Sequence, residues 1–138
     1  MVMLTWETLS RAWMDALNDH APDKLAPFLT DDFKWASHAS DPDGLDRARA
    51  LEFIEIAPVT NGVHESTIFE SEDVLVGTHT ATVRGEPTRL LCVAKLRGDK
   101  VYEYHHAPLQ LPADPSSAGE ATTWKRYPQC PKFIRSRL

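Results

Sequence analysis

From Val63 to about Ala107 the chain alternates apolar and polar residues in four runs, each separated by a short cluster of turn residues. Alternation of this kind calls for tandem antiparallel hairpins, and the turns then decide which side chains share a face. A loop centred on Ser71-Glu72 sets His64 opposite His79. One centred on Gly85-Glu86 sets His79 opposite Cys92, and Gly98-Asp99 sets Cys92 opposite His105. Even-numbered loops therefore line up three imidazoles and a thiol, whereas odd-numbered loops would flip a strand and scatter them. In this register one face carries His64, His79, Leu90, Cys92, Glu103 and His105 among small and apolar residues. The opposite face carries Val74, Val76, Thr78, Leu91, Val93, Tyr102, Tyr104 and His106. The first composition suits a ligand cavity. The second suits an outer face that is partly wet and partly covered by another copy of the chain, a homodimer.

The segments before the hairpins read as helices. Thr5 is an N-cap candidate for a helix to His20, with Trp6, Leu9, Trp13, Ala16 and Leu17 on one stripe. Pro22 starts a short helix to Leu29 that Pro27 makes brief or irregular. A strand from Phe33 to Ser37 follows, then a loop over residues 38–44. A third helix runs from Leu45 to Ala57, and a connector from Pro58 to Gly62. Helices followed by a meander imply an α+β cone, three N-terminal helices covering one face of a curved, mostly antiparallel sheet around a cavity.

At 138 residues the chain holds one sizeable core. The reading assigns residues 1–111 to that domain and 112–138 to a Pro-rich linker with a basic extension. The extension carries Lys125, Arg126, Lys132, Arg135 and Arg137, against a net charge of −5 for the whole chain. It is read as docking on the acidic body or a neighbouring subunit rather than on nucleic acid. Two cysteines in unrelated segments, no signal-peptide pattern and no run of transmembrane length point to the cytoplasm and away from membranes.

Trp13-Met14-Asp15-Ala16-Leu17-Asn18, then Pro22 to Phe33, and the hairpin phrase Arg97-Gly98-Asp99-Lys100-Val101 resemble the NTF2-like superfamily. The resemblance covers about residues 5–110 and lies toward its SnoaL-like, ketosteroid-isomerase-like and scytalone-dehydratase-like branches. It implies a cone-shaped fold that hosts isomerases, cyclases, dehydratases and non-catalytic binding modules. The isomerase branch's oxyanion-hole tyrosine, base aspartate and protonated aspartate fall on Trp13, Ser37 and Cys92. None of these can reproduce that chemistry.

What remains is a different polar set. His79 and His105 are candidate acid and base, with Glu103 orienting one of them and His64 beside them. Trp13, Trp35, Ser37, His38, Leu90 and Cys92 are candidate substrate contacts. A purely structural role for buried histidines is the competing reading. A metal site is disfavoured because the row spans roughly 14 Å. Cys92 reads as a small buried hydrophobe more readily than as a nucleophile. Neither a phosphate loop nor a nucleotide fingerprint is present, so no cofactor is expected. The expected function is cofactor-independent dehydration, isomerisation or cyclisation of a small apolar, oxygenated metabolite such as a polyketide or terpenoid. The alternative is a non-catalytic module that binds a hydrophobic ligand or a protein.

Overall fold

The computed structural model describes residues 3–38, 41–83 and 85–109, leaving aside the side chains at 41–42, 61–65 and 83. The expected extension at 112–138 and the side chain of His64 lie outside the described residues. Helix α1 spans Trp6–Asp19, with the Thr5 side chain accepting the Thr8 N–H as its N-cap. The predicted stripe of Trp6, Leu9, Trp13, Ala16 and Leu17 is its buried face. Glu70 supplies a second cap, its carboxylate accepting the backbone N–H of Trp6 at 3.0 Å. The brief second helix is two successive 3₁₀ turns, Pro22–Lys24 and Ala26–Phe28. Pro22 opens the first turn and Pro27 is the second residue of the other, and the two prolines prevent a continuous α-helix.

Strand β1 (Leu29–Ser37) starts earlier than the sequence suggested, and β2 (Asp41–Asp46) occupies most of the expected loop. The two pair antiparallel, Leu45 opposite Trp35. Gly44, at φ +82°, lies so close to the backbone of Trp35 that a Cβ would come within 2.8 Å of its carbonyl oxygen. Helix α2 (Arg47–Ile56) is capped by Asp46, which accepts the Arg49 N–H. The connector before the hairpins is also strand, since β3 runs Val59–Glu70. It is followed by β4 (Val74–Val83), β5 (Glu86–Arg97) and β6 (Lys100–Pro108).

The six strands form one strongly curled sheet in the order β2-β1-β6-β5-β4-β3, antiparallel except where β1 runs parallel to β6. Helix α1 lies across the inner face of β3 and β4, where Trp6 packs directly on Gly77. The core between helices and sheet contains Leu9, Leu17, Phe33, Ile54, Leu75, Ala94 and Val101, all buried.

The hairpin registers depart from expectation in three places. His64 is opposite His79 as predicted, but through a bulged pairing that begins with Glu70 opposite Leu75. Between β4 and β5 the loop closes one residue earlier, because Val83 pairs with Glu86 and Gly85 takes φ +81°. His79 therefore faces Leu90, and Cys92 faces Gly77. A slide of two residues keeps the same face. The third departure is decisive. The turn at Gly98-Asp99 has the predicted two residues, with Arg97 opposite Lys100. Leu96 then pairs with Val101 while Lys95 pairs with Glu103, so an extra residue is inserted at Tyr102. This β-bulge reverses the facing of everything beyond it. Cys92 lies opposite His106 rather than His105. Tyr104 and His106 point inward, and Glu103 and His105 point outward, the reverse of the expected assignment.

Candidate functional site

The inner face of β1 and β6 is built from aromatic rings. Parallel pairing sets Trp35 beside Tyr104 and Ser37 beside His106. Trp13 reaches over from α1 and stacks on Tyr104, with centroids 4.1 Å apart and planes at 18°. Trp35 meets Trp13 edge-on at 5.1 Å and Phe53 of α2 at 5.2 Å. Trp13 and Trp35, expected as substrate contacts, thus stand together, with Tyr104 as a third wall.

His106 joins this cluster through one hydrogen bond, in which Nε1–H of Trp35 donates to its Nδ1 at 2.8 Å. An indole nitrogen can only donate. The bond therefore fixes the imidazole as the Nε2–H tautomer. Burial, reinforced by the nearby charges of His79 and His38, pushes the His106 pKa down to about 4. At neutral pH His106 is an uncharged imidazole whose Nε2–H has no partner among the described residues. Such a group can donate a hydrogen bond to a carbonyl or oxyanion but cannot accept a proton at that nitrogen.

Other inner groups are quiet. Cys92 is fully buried and its thiol is pushed up to about 12 by burial, so it is no nucleophile near neutral pH. Tyr104, hydrogen-bonded to Cys92, is raised well above the usual phenol range, again by burial. His79 is buried between Thr78 and Thr80 on β4 with its ring 6.1 Å from that of Trp6. Leu90 is half-buried opposite His79, and Ser37 is half-buried at the end of β1.

A second polar assembly lies on the outer face. His105 Nε2 and Glu103 Oε1 are 2.5 Å apart, and His105 Nδ1 and His38 Nε2 are 2.9 Å apart. Lys95 stands 3.6 Å from the same carboxylate oxygen. The His105 hydrogen bond holds the Glu103 carboxyl below its usual range against partial burial, with help from Lys95. The expected contact between Glu103 and His105 is present, but the sheet separates it from His79. Of the expected row, His79 and Cys92 therefore face inward and His105 faces outward. Sequence reasoning missed His106 and Tyr104. The signal for them was the three-residue interval between the apolar pair Val101 and Tyr104, where unbroken alternation would give two. Among the described residues no group of three or more His, Cys, Asp or Glu side chains could hold a metal ion. None of the described helices is long and apolar enough to cross a membrane.

A curled six-stranded sheet with α1 and α2 on its inner face is the NTF2-like fold, and this chain has it. An NTF2-like protein of unknown function from Cytophaga hutchinsonii superposes with a TM-score of 0.64 at 14% identity, over 78% of this chain and 93% of the other. A proposed ketosteroid isomerase from Kribbella flavida gives 0.63 at 16% identity, over 79% and 81%. A proposed isomerase from Rhodopseudomonas palustris gives 0.60 at 20%, over 78% and 91%. No protein-family profile matches the sequence, and no curated protein matches it significantly.

Proposed function

We propose that the protein is a cofactor-independent acid/base enzyme acting on a small apolar compound that carries a carbonyl or equivalent oxygen, by isomerisation, dehydration or cyclisation. The observation that carries this reading is the bond from Trp35 to His106. It holds a neutral imidazole N–H against aromatic walls, and a fixed donor in a poorly solvated site favours the charge that develops on oxygen when a neighbouring carbon loses a proton. The isomerase names of two structural neighbours agree with the class of chemistry. They say nothing of the substrate.

A simple carbonyl probe tests the reading. The protein should accelerate exchange of the benzylic α-protons of 2-tetralone for deuterium in D₂O, followed by proton NMR. His106→Ala should lower that rate about 10²-fold, the usual worth of one oxyanion donor. Binding of 2-tetralone without exchange would instead indicate a non-catalytic binding module.

A further inference from the structure

His106 offers a single hydrogen bond, whereas a carbonyl oxygen has two acceptor sites to fill. We propose that the Ser37 hydroxyl is the second donor, so that Ser37 and His106 hold one substrate oxygen from neighbouring strands. This inference rests on the acid/base reading above.

The register brings the two residues together. Ser37 and His106 are direct partners in the parallel ladder between β1 and β6, where neighbouring strands lie about 4.8 Å apart. Two residues back on each strand, Trp35 and Tyr104 are also partners, and both are buried in the core. Side chains two apart on a strand share a face, so Ser37 and His106 stand side by side on the inner one. Strand β1 ends at Ser37. Ser37 and His106 are half-buried there, in front of the buried Trp35 and Tyr104, and this rim is where a substrate oxygen can enter.

The other neighbours of His106 are already committed. Tyr104 and Pro108 flank it on β6, Cys92 opposes it on β5, and Ser37 lies beside it on β1. Proline has no side-chain donor. The Tyr104 hydroxyl and the Cys92 thiol are hydrogen-bonded to each other in the core. Trp35 gives its one N–H to His106. Of these side chains Ser37 alone brings a donor to the rim, and a hydroxyl rotates to suit the acceptor it meets.

Two donors on one oxygen select for the charged form. A hydrogen bond to an ionised acceptor is about twice as strong as one to a neutral acceptor, so each bond strengthens as the carbonyl becomes an enolate. Neither donor has to give up its proton. The arrangement suits an enolisable ketone or aldehyde better than an ether, whose oxygen is flanked by carbon on both sides.

The full chain and two probes test this. With 2-tetralone, Ser37→Ala should lower the turnover rate of exchange about 10²-fold, with KM changed less than about threefold. Ser37→Thr keeps a hydroxyl and should recover most of that loss. Ser37→Cys is close to serine in size but a weak donor, and it should behave as the alanine variant does. 2-Naphthol, whose anion resembles the enolate of 2-tetralone, gives a readout apart from turnover. Fluorescence titration across its ionisation should show Ser37→Ala weakening the naphtholate about tenfold and the neutral naphthol less than twofold. Wild-type protein that exchanges nothing sinks the acid/base reading and the second donor with it. Exchange that survives both Ser37→Ala and Ser37→Cys within about threefold of wild type overturns the second donor and leaves the reading standing. Equal weakening of naphthol and naphtholate also overturns it.

Discussion

Trp35 and His106 stand on parallel strands, and the 2.8 Å bond from the indole to Nδ1 decides which imidazole nitrogen carries hydrogen. Trp35→Phe keeps an aromatic ring against Trp13 and Phe53 but removes that donor. His106 should then populate both tautomers in nitrogen-detected NMR. Exchange of 2-tetralone should fall about tenfold, since the correct donor is present only part of the time. Phenyl is smaller than indole and leaves His106 Nδ1 without its donor, so stability should fall by about 2–3 kcal/mol by urea titration.

Burial gives the same histidine a thermodynamic signature. Its pKa falls from 6.5 to about 4 on folding, through burial and the charges of His79 and His38. Between those values the unfolded chain binds a proton that the native protein refuses, so stability rises with pH there and is lost as pH falls from 6.5 toward 4. The full contribution is at most about 3 kcal/mol, and less because the ring is partly solvated. Urea unfolding at pH 7 and pH 5 should show the wild type losing stability on acidification. His106→Phe should lose markedly less over the same interval. Equal losses would mean that the imidazole is not held neutral.

Gly77 marks the tightest contact between helix and sheet. A Cβ there would come within 2.1 Å of Nε1 of Trp6, a side chain that is wholly buried. Gly77→Ala must push α1 away from β4, and overpacking of this kind costs about 1–3 kcal/mol. The expected result is a lower urea midpoint with an unchanged m-value and a red-shifted tryptophan emission. A neutral outcome would show that α1 does not seat on Gly77.

The order of elements could be read from the sequence because each rests on local chemistry. Thr5 caps, proline at 22 and 27 breaks, and turn residues punctuate the alternating strands. His64 does pair with His79 as expected, but through bulges that offset a turn centred one residue later than the sequence suggested. What could not be read was one inserted residue. Tyr102 suits an outer face as well as Glu103 does, so nothing in its side chain announces that both lie outside; only their joint pairing against Lys95 does. That insertion moved Glu103 and His105 off the inner face and brought Tyr104 and His106 onto it. The β2 strand was hidden for a related reason. Asp41-Pro42-Asp43-Gly44 has loop composition, and it is the backbone of Trp35 that recruits it.

Burial should also make Cys92 chemically silent. With its thiol pushed up to about 12 and its surface covered, native protein should not be alkylated there by iodoacetamide at pH 8. A Cys130→Ser chain leaves Cys92 as the single thiol, so mass spectrometry should find it unmodified in buffer and fully modified in urea. Labelling of the native chain at a rate near that of a free thiol would show that solvent reaches the inner face of β5.

The bulge makes a sharper prediction than any substitution. Tyr102 and Glu103 together oppose Lys95, with Leu96 opposite Val101 on one side and Ala94 opposite Tyr104 on the other. Deleting Tyr102 leaves one residue for one partner. Val101 and Tyr104 remain inward, and Glu103 and His105 remain outward. What is lost is the ring that Arg97 covers at 4.5 Å and Lys95 approaches at 5.7 Å, a contact worth about 1 kcal/mol at an exposed site. The deletion variant should therefore fold with a modestly lower urea midpoint and keep His106 as the Nε2–H tautomer bonded to Trp35. Removing one residue from a regular strand would reverse every side chain beyond it and destroy the core. Unfolding of this variant, or loss of the His106 tautomer, would place the extra residue somewhere other than Tyr102.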